Sequence, residues 1–153
     1  MIATMKLTDE QARSRLGEHT HGVFCTIHPR RGPDPMPVVY AVTDDGFVGV
    51  PIDTVKPKSS TRLRREDNLD LDPRGSLLIE HWETEDWSRL WWVRAHLEHV
   101  ADPGERVVEE LSARLEHAVP QYAGRPFHHI LVCQIVSITG WSAQDRSATT
   151  APA

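Results

Sequence analysis

The sequence predicts a small, mainly β domain, a six-stranded antiparallel β-barrel with peripheral helices. Apolar residues alternate with a period of two in six segments, which is typical of half-buried strands. Most of these segments are separated by turn-forming residues, so the chain lacks the strand-helix alternation of a parallel sheet. A length of 153 residues suits one domain. Closure into a barrel would remove the exposed sheet edges.

The first predicted elements are a helix and a strand. Thr8 and Gln11 have the spacing of a capping box, which predicts a helix that runs to about Leu16. Apolar and polar residues then alternate over 22–28, and the Pro-rich segment 29–33 ends this strand.

A hairpin and a surface helix are expected next. β-branched and apolar residues over 36–43, the Asp-Asp-Gly turn 44–46 and a second alternating run over 47–52 predict the hairpin. Hydroxyl residues from Ser59 onwards are N-cap candidates for a short helix that ends before Asp72.

The last elements are three strands and the clearest helix of the chain. Strands are expected over 75–82, 90–100 and 130–139, and apolar residues at helical spacing predict a helix between residues 103 and 120. We expect residues 1–142 to form the single domain. The small, polar residues 143–153 are expected to be a disordered tail.

Composition narrows the functional classes. The formal charge of −5 argues against a general binder of nucleic acids or membrane surfaces. We find no apolar run long enough to span a membrane and no secretory signal, so the expected location is the cytoplasm. Cys25 and Cys133 lie in apolar, strand-like segments, which favours buried free thiols.

Several catalytic and metal motifs are missing from the sequence. Among nine histidines, His128–His129 and His96–His99 are the best candidate ligand pairs, but their spacing is not that of a zinc motif, and we predict no metal site. The chain has no Gly-x-Ser-x-Gly elbow, no P-loop and no Gly-x-Gly-x-x-Gly, so a hydrolase or a glycine-loop nucleotide site is not favoured.

The best candidate for anion binding is the basic segment 56–65. It combines five Lys and Arg residues with three hydroxyl residues and contains no acid. Charge-assisted donors and the free amides of a helix start are the groups that bind a phosphate. A solvated basic surface is the alternative interpretation.

Tryptophans are concentrated over 82–92. Trp91 and Trp92 must point to opposite faces of a strand, so at most one of them enters the barrel. The other would meet a second subunit, a helix or a planar ligand. A flat aromatic cofactor with a phosphorylated tail would use both the tryptophans and the basic segment.

The run Asp-Trp-Ser-Arg-Leu-Trp-Trp-Val-Arg over 86–94 is distinctive. Together with Lys-Pro-Lys at 56–58 and Asp-Pro-Arg-Gly-Ser-Leu-Leu at 72–78, it closely resembles the pyridoxamine-phosphate-oxidase-like (PPOX class) flavin split-barrel proteins. Within them it is similar to the actinobacterial branch that depends on coenzyme F-420, a deazaflavin. The resemblance extends from Thr8 to Ser142.

This resemblance implies an oxidoreductase that passes hydride between the reduced deazaflavin and an unsaturated small organic acceptor. It implies a homodimer with cofactor sites at the subunit interface, where the hairpin lines the ring and the basic segment takes the phosphate. No catalytic residue stands out, although Tyr40, His81 or solvent would be a source of a proton. The implied ring contacts are Val38, Val39, Val50, Arg89, Trp92 (or Trp91) and, from the partner subunit, Trp141, and the implied phosphate contacts are Lys56, Lys58, Ser59, Arg62 and Arg65.

Two alternatives stay open at this point. One is an FMN-dependent oxidase or reductase of the same fold, and the other is a non-catalytic protein that binds a deazaflavin, a flavin or heme. Glu66 and Asp67 depart from the family pattern, in which this pair is more neutral or basic. Two acids beside an anion site would weaken it.

Overall fold

The computed structural model describes residues 5–53 and 64–143, and these form one curled antiparallel sheet with three helices. The strand order is β3-β2-β6-β7-β8-β5-β4, with the short β1 added to β8. Two single 3-10 turns lie at Trp87–Arg89 and Pro120–Tyr122. The elements are β1 Met5–Lys6, α1 Asp9–Glu18, β2 His21–His28, β3 Gly32–Val39, β4 Ala41–Val42, β5 Phe47–Asp53, α2 Arg64–Leu71, β6 Arg74–His81, β7 Trp91–His99, α3 Glu105–Ala118 and β8 Phe127–Ser142.

The sheet contains eight strands, so the expectation of six was wrong. β1 and β4 are each only two residues long, which is too short to produce a recognisable alternation. The predicted hairpin over 36–52 was also wrong in its first half. β3 begins at Gly32, inside the Pro-rich segment, and pairs with β2, whereas only Ala41–Val42 pairs with β5.

The prolines of β3 are compatible with a strand because β3 lies at the edge of the sheet. Proline lacks the N–H of a ladder hydrogen bond and is therefore tolerated at edges. Pro33, Pro35 and Pro37 occupy alternate positions opposite Ile27, Cys25 and Val23. The segment that reads as a strand breaker in sequence is thus an edge strand in the structure.

The helices begin and end close to the expected residues. The amide of Gln11 donates to Thr8 Oγ1 at 3.1 Å, and the amide of Thr8 donates to Gln11 Oε1 at 2.9 Å, so the predicted capping box is confirmed. The described part of the second predicted helix begins at Arg64, and residues 59–63 lie outside the described residues.

The core lies on both faces of the curled sheet. On the inner face Val50, Leu77 and Val93 belong to the main core, and on the other face Leu111 and Leu115 of α3 pack over the sheet. Gly49 permits this close packing, since an added Cβ would lie 2.9 Å from the side chains of both Leu111 and Ile130. α3 is thereby held against the part of the sheet that forms the candidate site.

Both cysteines are free, with Cys133 buried and Cys25 half-buried. In the described ranges 5–53 and 64–143 no helix has the length and apolarity to cross a membrane. The same residues contain no group of three or more His, Cys, Asp or Glu side chains able to hold a metal ion.

The segment 143–153 was expected to be a tail outside the domain. Ala143 is buried, and its amide donates to Leu90 O at 2.9 Å. Residues from 144 onwards lie outside the described part.

Candidate functional site

A cleft of about 350 Å³ lies between β3, β5, the start of α2 and the turn that follows α3. This volume is in the range of small-molecule sites, which is roughly 300–1,000 Å³. Apolar side chains make most of its wall, and a few polar groups converge on it. The lining residues are His21, Pro37, Val38, Val39, Val50, Pro51, Arg65, Val119, Gln121 and Tyr122.

The end of β3 and the middle of β5 supply the apolar wall. Val38 and Val50 are buried, and Val39 is half-buried. Tyr40 anchors the end of β3, because its amide donates to Thr20 O at 2.9 Å and its hydroxyl donates to Leu16 O at 2.6 Å. Three residues expected to contact a ring therefore lie in one rigid wall.

Tyr40 itself does not line the cleft. Its ring is buried in the core, and this burial raises the pKa of the Tyr40 hydroxyl far above its usual value. His81, the other residue considered as a proton source, bonds Glu83 Oε1 at 3.0 Å through Nε2 and also lies outside the lining. Neither side chain is placed to give a proton to a ligand in this cleft.

Arg65 provides the cationic end of the cleft. It lies in the first turn of α2, a helix that Asn68 ties to the sheet through hydrogen bonds from Nδ2 to Thr26 Oγ1 at 2.8 Å and to Asp34 Oδ2 at 3.1 Å. The other predicted phosphate ligands, Lys56, Lys58, Ser59 and Arg62, fall outside the described residues.

The two acids that follow Arg65 point in different directions. Glu66 is buried, and its Oε1 accepts a bond from His129 Nε2 at 2.7 Å. Asp67 is exposed. Neither lines the cleft.

The third wall is the 3-10 turn Pro120–Tyr122, which an ionic network holds against α3. Arg125 donates to both carboxylate oxygens of Glu109, at 2.8 and 2.9 Å, and its Nε donates to Glu116 Oε1 at 3.3 Å. Tyr122 packs edge-on against Phe127, with ring centroids 5.7 Å apart. The wall is therefore fixed from both sides.

Arg89, Trp92 and Trp141 do not line the cleft. Trp92 and Trp141 are cross-strand partners on the outer face of the sheet. Arg94 places its guanidinium 5.4 Å from the centre of the Trp92 ring. Arg89 Nε lies 3.3 Å from Glu83 Oε1.

The prediction that Trp91 and Trp92 point to opposite faces is confirmed. Trp91 packs against the main core, with the Arg15 guanidinium 4.7 Å from its ring centre and the His19 ring edge-on at 4.8 Å. Trp92 is the member of the pair that remains on the outer face.

Sequence reasoning missed several cleft residues. His21 lies opposite Val39 in the β2-β3 ladder, so the correct pairing of β3 would have placed it at the site. Val119, Gln121 and Tyr122 belong to a turn that carries no motif and reaches the cleft only through the packing of α3. No signal in the sequence marks these three residues.

Comparisons with known proteins bear on the fold. No protein-family model matches the sequence, and no curated protein matches it. A FAD-binding protein from Mesorhizobium loti has a TM-score of 0.67 and 12% identity, over 92% of this chain and 97% of that one. An FMN-binding protein from Syntrophomonas wolfei has a TM-score of 0.61 and 18% identity, over 86% and 84%. This chain shares their fold.

A third similar structure is a conserved hypothetical protein from Mycobacterium tuberculosis, with a TM-score of 0.66 and 18% identity over 96% of this chain and 92% of that one. The curled antiparallel sheet agrees with the predicted split barrel. All three proteins match over most of their length, so the likeness covers the whole domain.

Proposed function

We propose that the protein binds coenzyme F-420 in this cleft and transfers hydride between the reduced deazaflavin and an unsaturated small organic acceptor. The observation that carries the proposal is that Arg65 shares one cleft with Val38, Val39 and Val50. Apolar walls with one guanidinium suit a flat ring that carries a phosphate. The similar fold of FAD-binding and FMN-binding proteins supports a ligand of this class.

The residues of the cleft fit such a cofactor. The valines and Pro51 offer flat apolar contact to a ring. A guanidinium forms two parallel hydrogen bonds to a phosphate, which fixes both its position and its orientation. Lys56, Lys58, Ser59 and Arg62 closely precede Arg65 in the sequence, and the proposal includes them as further phosphate contacts.

When bound, the deazaflavin or flavin supplies the hydride chemistry. The protein holds the ring and excludes water through Val38, Val39 and Val50, while Arg65 fixes the phosphate. His21 lines the same cleft, and imidazole is the commonest general acid of enzymes, so His21 is the residue proposed to pass a proton to the acceptor.

A homodimer is part of the proposal. The outer face of the sheet exposes Val23 and Leu78, which are opposite one another on β2 and β6, and each is 39% exposed. The Trp92–Trp141 pair lies on the same face, separated from Leu78 by the exposed charged residues Glu80 and Arg94. In a dimer built on this face, Arg89, Trp92 and Trp141 would reach the cofactor of the partner subunit.

FMN is the second candidate for the same cleft. The similarity to the FMN-binding protein from Syntrophomonas wolfei favours it, and the phosphate of FMN would use Arg65 in the same way. The reaction would then be that of an oxidase or reductase of the same fold.

The test is a parallel titration of the purified protein with coenzyme F-420, FMN, FAD and heme, followed by tryptophan and cofactor fluorescence. We expect the deazaflavin to bind most tightly and its reduced form to be oxidised by members of a panel of unsaturated acceptors. Preference for FMN would replace the first candidate with the second. Tight binding of any of these ligands without turnover would indicate a carrier protein, and binding of none would refute the proposal.

A further inference from the structure

The outer face of β6 and β7 carries a block of four residues in which two are apolar and two are charged. In the ladder between these strands Leu78 is opposite Arg94, and Glu80 is opposite Trp92. Alternate residues of a strand point to the same side of a sheet, so all four side chains share the outer face. Leu78 and Trp92 therefore occupy one diagonal of the block, and Glu80 and Arg94 occupy the other.

The two charged residues of this block are available to a partner. Both are exposed, and neither makes an ion pair with another described residue. The Arg94 guanidinium lies 5.4 Å from the centre of the Trp92 ring. A cation–π contact does not use up the N–H donors of a guanidinium, so Arg94 can still donate to a carboxylate.

The apolar residues of the block are also incompletely covered. Leu78 is 39% exposed, as is Val23, which lies opposite it on β2, and Trp92 is half-buried. Association with another protein surface would remove this apolar area from water. The surface that covers it must also provide a cation for Glu80 and an anion for Arg94.

A second copy of the same face meets both requirements in one orientation. Two identical chains usually associate about a two-fold axis, so that residue i of one copy contacts residue j of the other and the reverse. With the axis in the interface plane, close to the Leu78–Trp92 diagonal, Glu80 of each copy faces Arg94 of the other. An axis along the charged diagonal would bring each charge against its own copy, and an axis parallel or perpendicular to the strands would bring charges against apolar side chains.

We propose that Glu80 and Arg94 form two symmetric ion pairs across the interface between two copies of this chain. The inference rests on the proposed function, because the homodimer is part of it. The apolar residues provide the buried area, and the charges fix the relative orientation of the copies, since other arrangements place like charges or unpaired charges in the interface.

The proposal can be tested by reversing each charge and then mixing the two variants. Glu80→Arg brings like charges together in its own homodimer, as does Arg94→Glu, so each variant alone should dimerise at least about tenfold more weakly than the wild type. A one-to-one mixture should recover the dimer, because both contacts of the heterodimer join opposite charges. Sedimentation velocity would measure the dissociation constants, and native mass spectrometry would show whether the recovered dimer contains one copy of each variant.

The matched controls are Glu10→Arg and Arg30→Glu. They make the same charge changes at exposed positions on α1 and in the turn between β2 and β3, away from the outer face of β6 and β7. Each control variant should dimerise as the wild type does. Recovery of the dimer on mixing also shows that both test variants are folded, because an unfolded chain could not form the heterodimer.

The inference fails in any of three cases. Unchanged dissociation constants in both Glu80→Arg and Arg94→Glu would show that the dimer rests on other contacts. Weakened variants that form no heterodimer on mixing would show that the two charges do not meet across the interface. A wild type that remains a monomer at all concentrations would remove the interface itself. Cofactor binding is measured in a separate titration, so a failure of the proposed cofactor site is distinguishable from each of these results.

Discussion

The guanidinium of Arg125 donates two parallel hydrogen bonds, of 2.8 and 2.9 Å, to the carboxylate of Glu109. The backbone of the same arginine has a φ of 57°. A positive φ is unfavourable for residues other than glycine. The ion pair thus holds a strained turn in place, and this turn continues from the cleft wall that contains Gln121 and Tyr122.

The first prediction concerns this pair and pH. The bonds from Arg125 hold the pKa of Glu109 below its ordinary value of 4.5. A carboxyl whose pKa is lower in the folded state contributes stability that is present above 4.5 and is lost as the pH falls through the folded-state pKa. Urea denaturation should show Glu109→Gln less stable than the wild type at pH 7, with the difference disappearing in acid.

The control for that experiment is Arg106→Ala, which removes an exposed arginine of α3 whose partners, Asp45 and Glu110, lie away from the turn. Arg125→Gly should be more stable than Arg125→Ala, because glycine relieves the positive φ that both variants retain. Equal stability of these two variants would show that the backbone at residue 125 relaxes when the ion pair is removed.

The second prediction tests the anion site. Arg65→Ala should weaken binding of the phosphate-bearing cofactor by about 1–3 kcal/mol, or about fivefold to more than a hundredfold, through loss of charge-assisted hydrogen bonds. Arg64→Ala is the matched control, since Arg64 is exposed and does not line the cleft. Its Nη1 atom lies 3.4 Å from His28 Nε2. Isothermal titration calorimetry would measure both. If both substitutions weakened cofactor binding equally, the effect would come from the net positive charge of α2 and not from a direct contact between Arg65 and the phosphate.

A third prediction concerns assembly. Leu78→Arg should convert the proposed dimer to a monomer in analytical ultracentrifugation, because a charge in the middle of a desolvated interface is costly. Leu71→Arg is the control, since Leu71 is 70% exposed at the end of α2 and is not on the outer face of the sheet. A wild type that sediments as a monomer at all concentrations would remove the dimer from the proposal.

The fourth prediction concerns the attachment of α2. Asn68 is 1% exposed and bonds the buried Thr26 and the carboxylate of Asp34. Asn68→Ala should lower the free energy of unfolding by about 1–3 kcal/mol, because it leaves buried polar groups without their partner. Leu71→Ala, at a position of the same helix that is 70% exposed, should change it by less than about 0.5 kcal/mol. Chemical denaturation would compare them.

The spacing of apolar residues along the chain predicted the long strands and helices well and the short strands poorly. β2, β6, β7, β8 and α3 carry a clear period over eight residues or more, and each lies where the pattern indicates. The pairing of β3 was not predictable from local sequence, because a run of prolines forms a strand only at a sheet edge, and the position of an edge is decided by the whole topology.

The site was predictable in part. Val38, Val39, Val50 and Arg65 were singled out by the family resemblance, not by periodicity, and they lie in one cleft. Gln121 and Tyr122 reach that cleft only because α3 packs across β5 and β8, a contact between residues far apart in sequence. The contact of Glu66 with His129 on β8 likewise joins residues far apart in sequence, and no local pattern indicates it.

The alternate prolines of β3 also bear on how copies of this chain can associate. Since proline has no N–H, the donors that pair β3 with β2 must come from the intervening residues Asp34, Met36 and Val38. The opposite, outward edge of β3 therefore offers carbonyl groups but no amide donors at positions 33, 35 and 37. Such an edge is a poor template for an added strand, so the prolines protect this edge of the sheet against growth into aggregates.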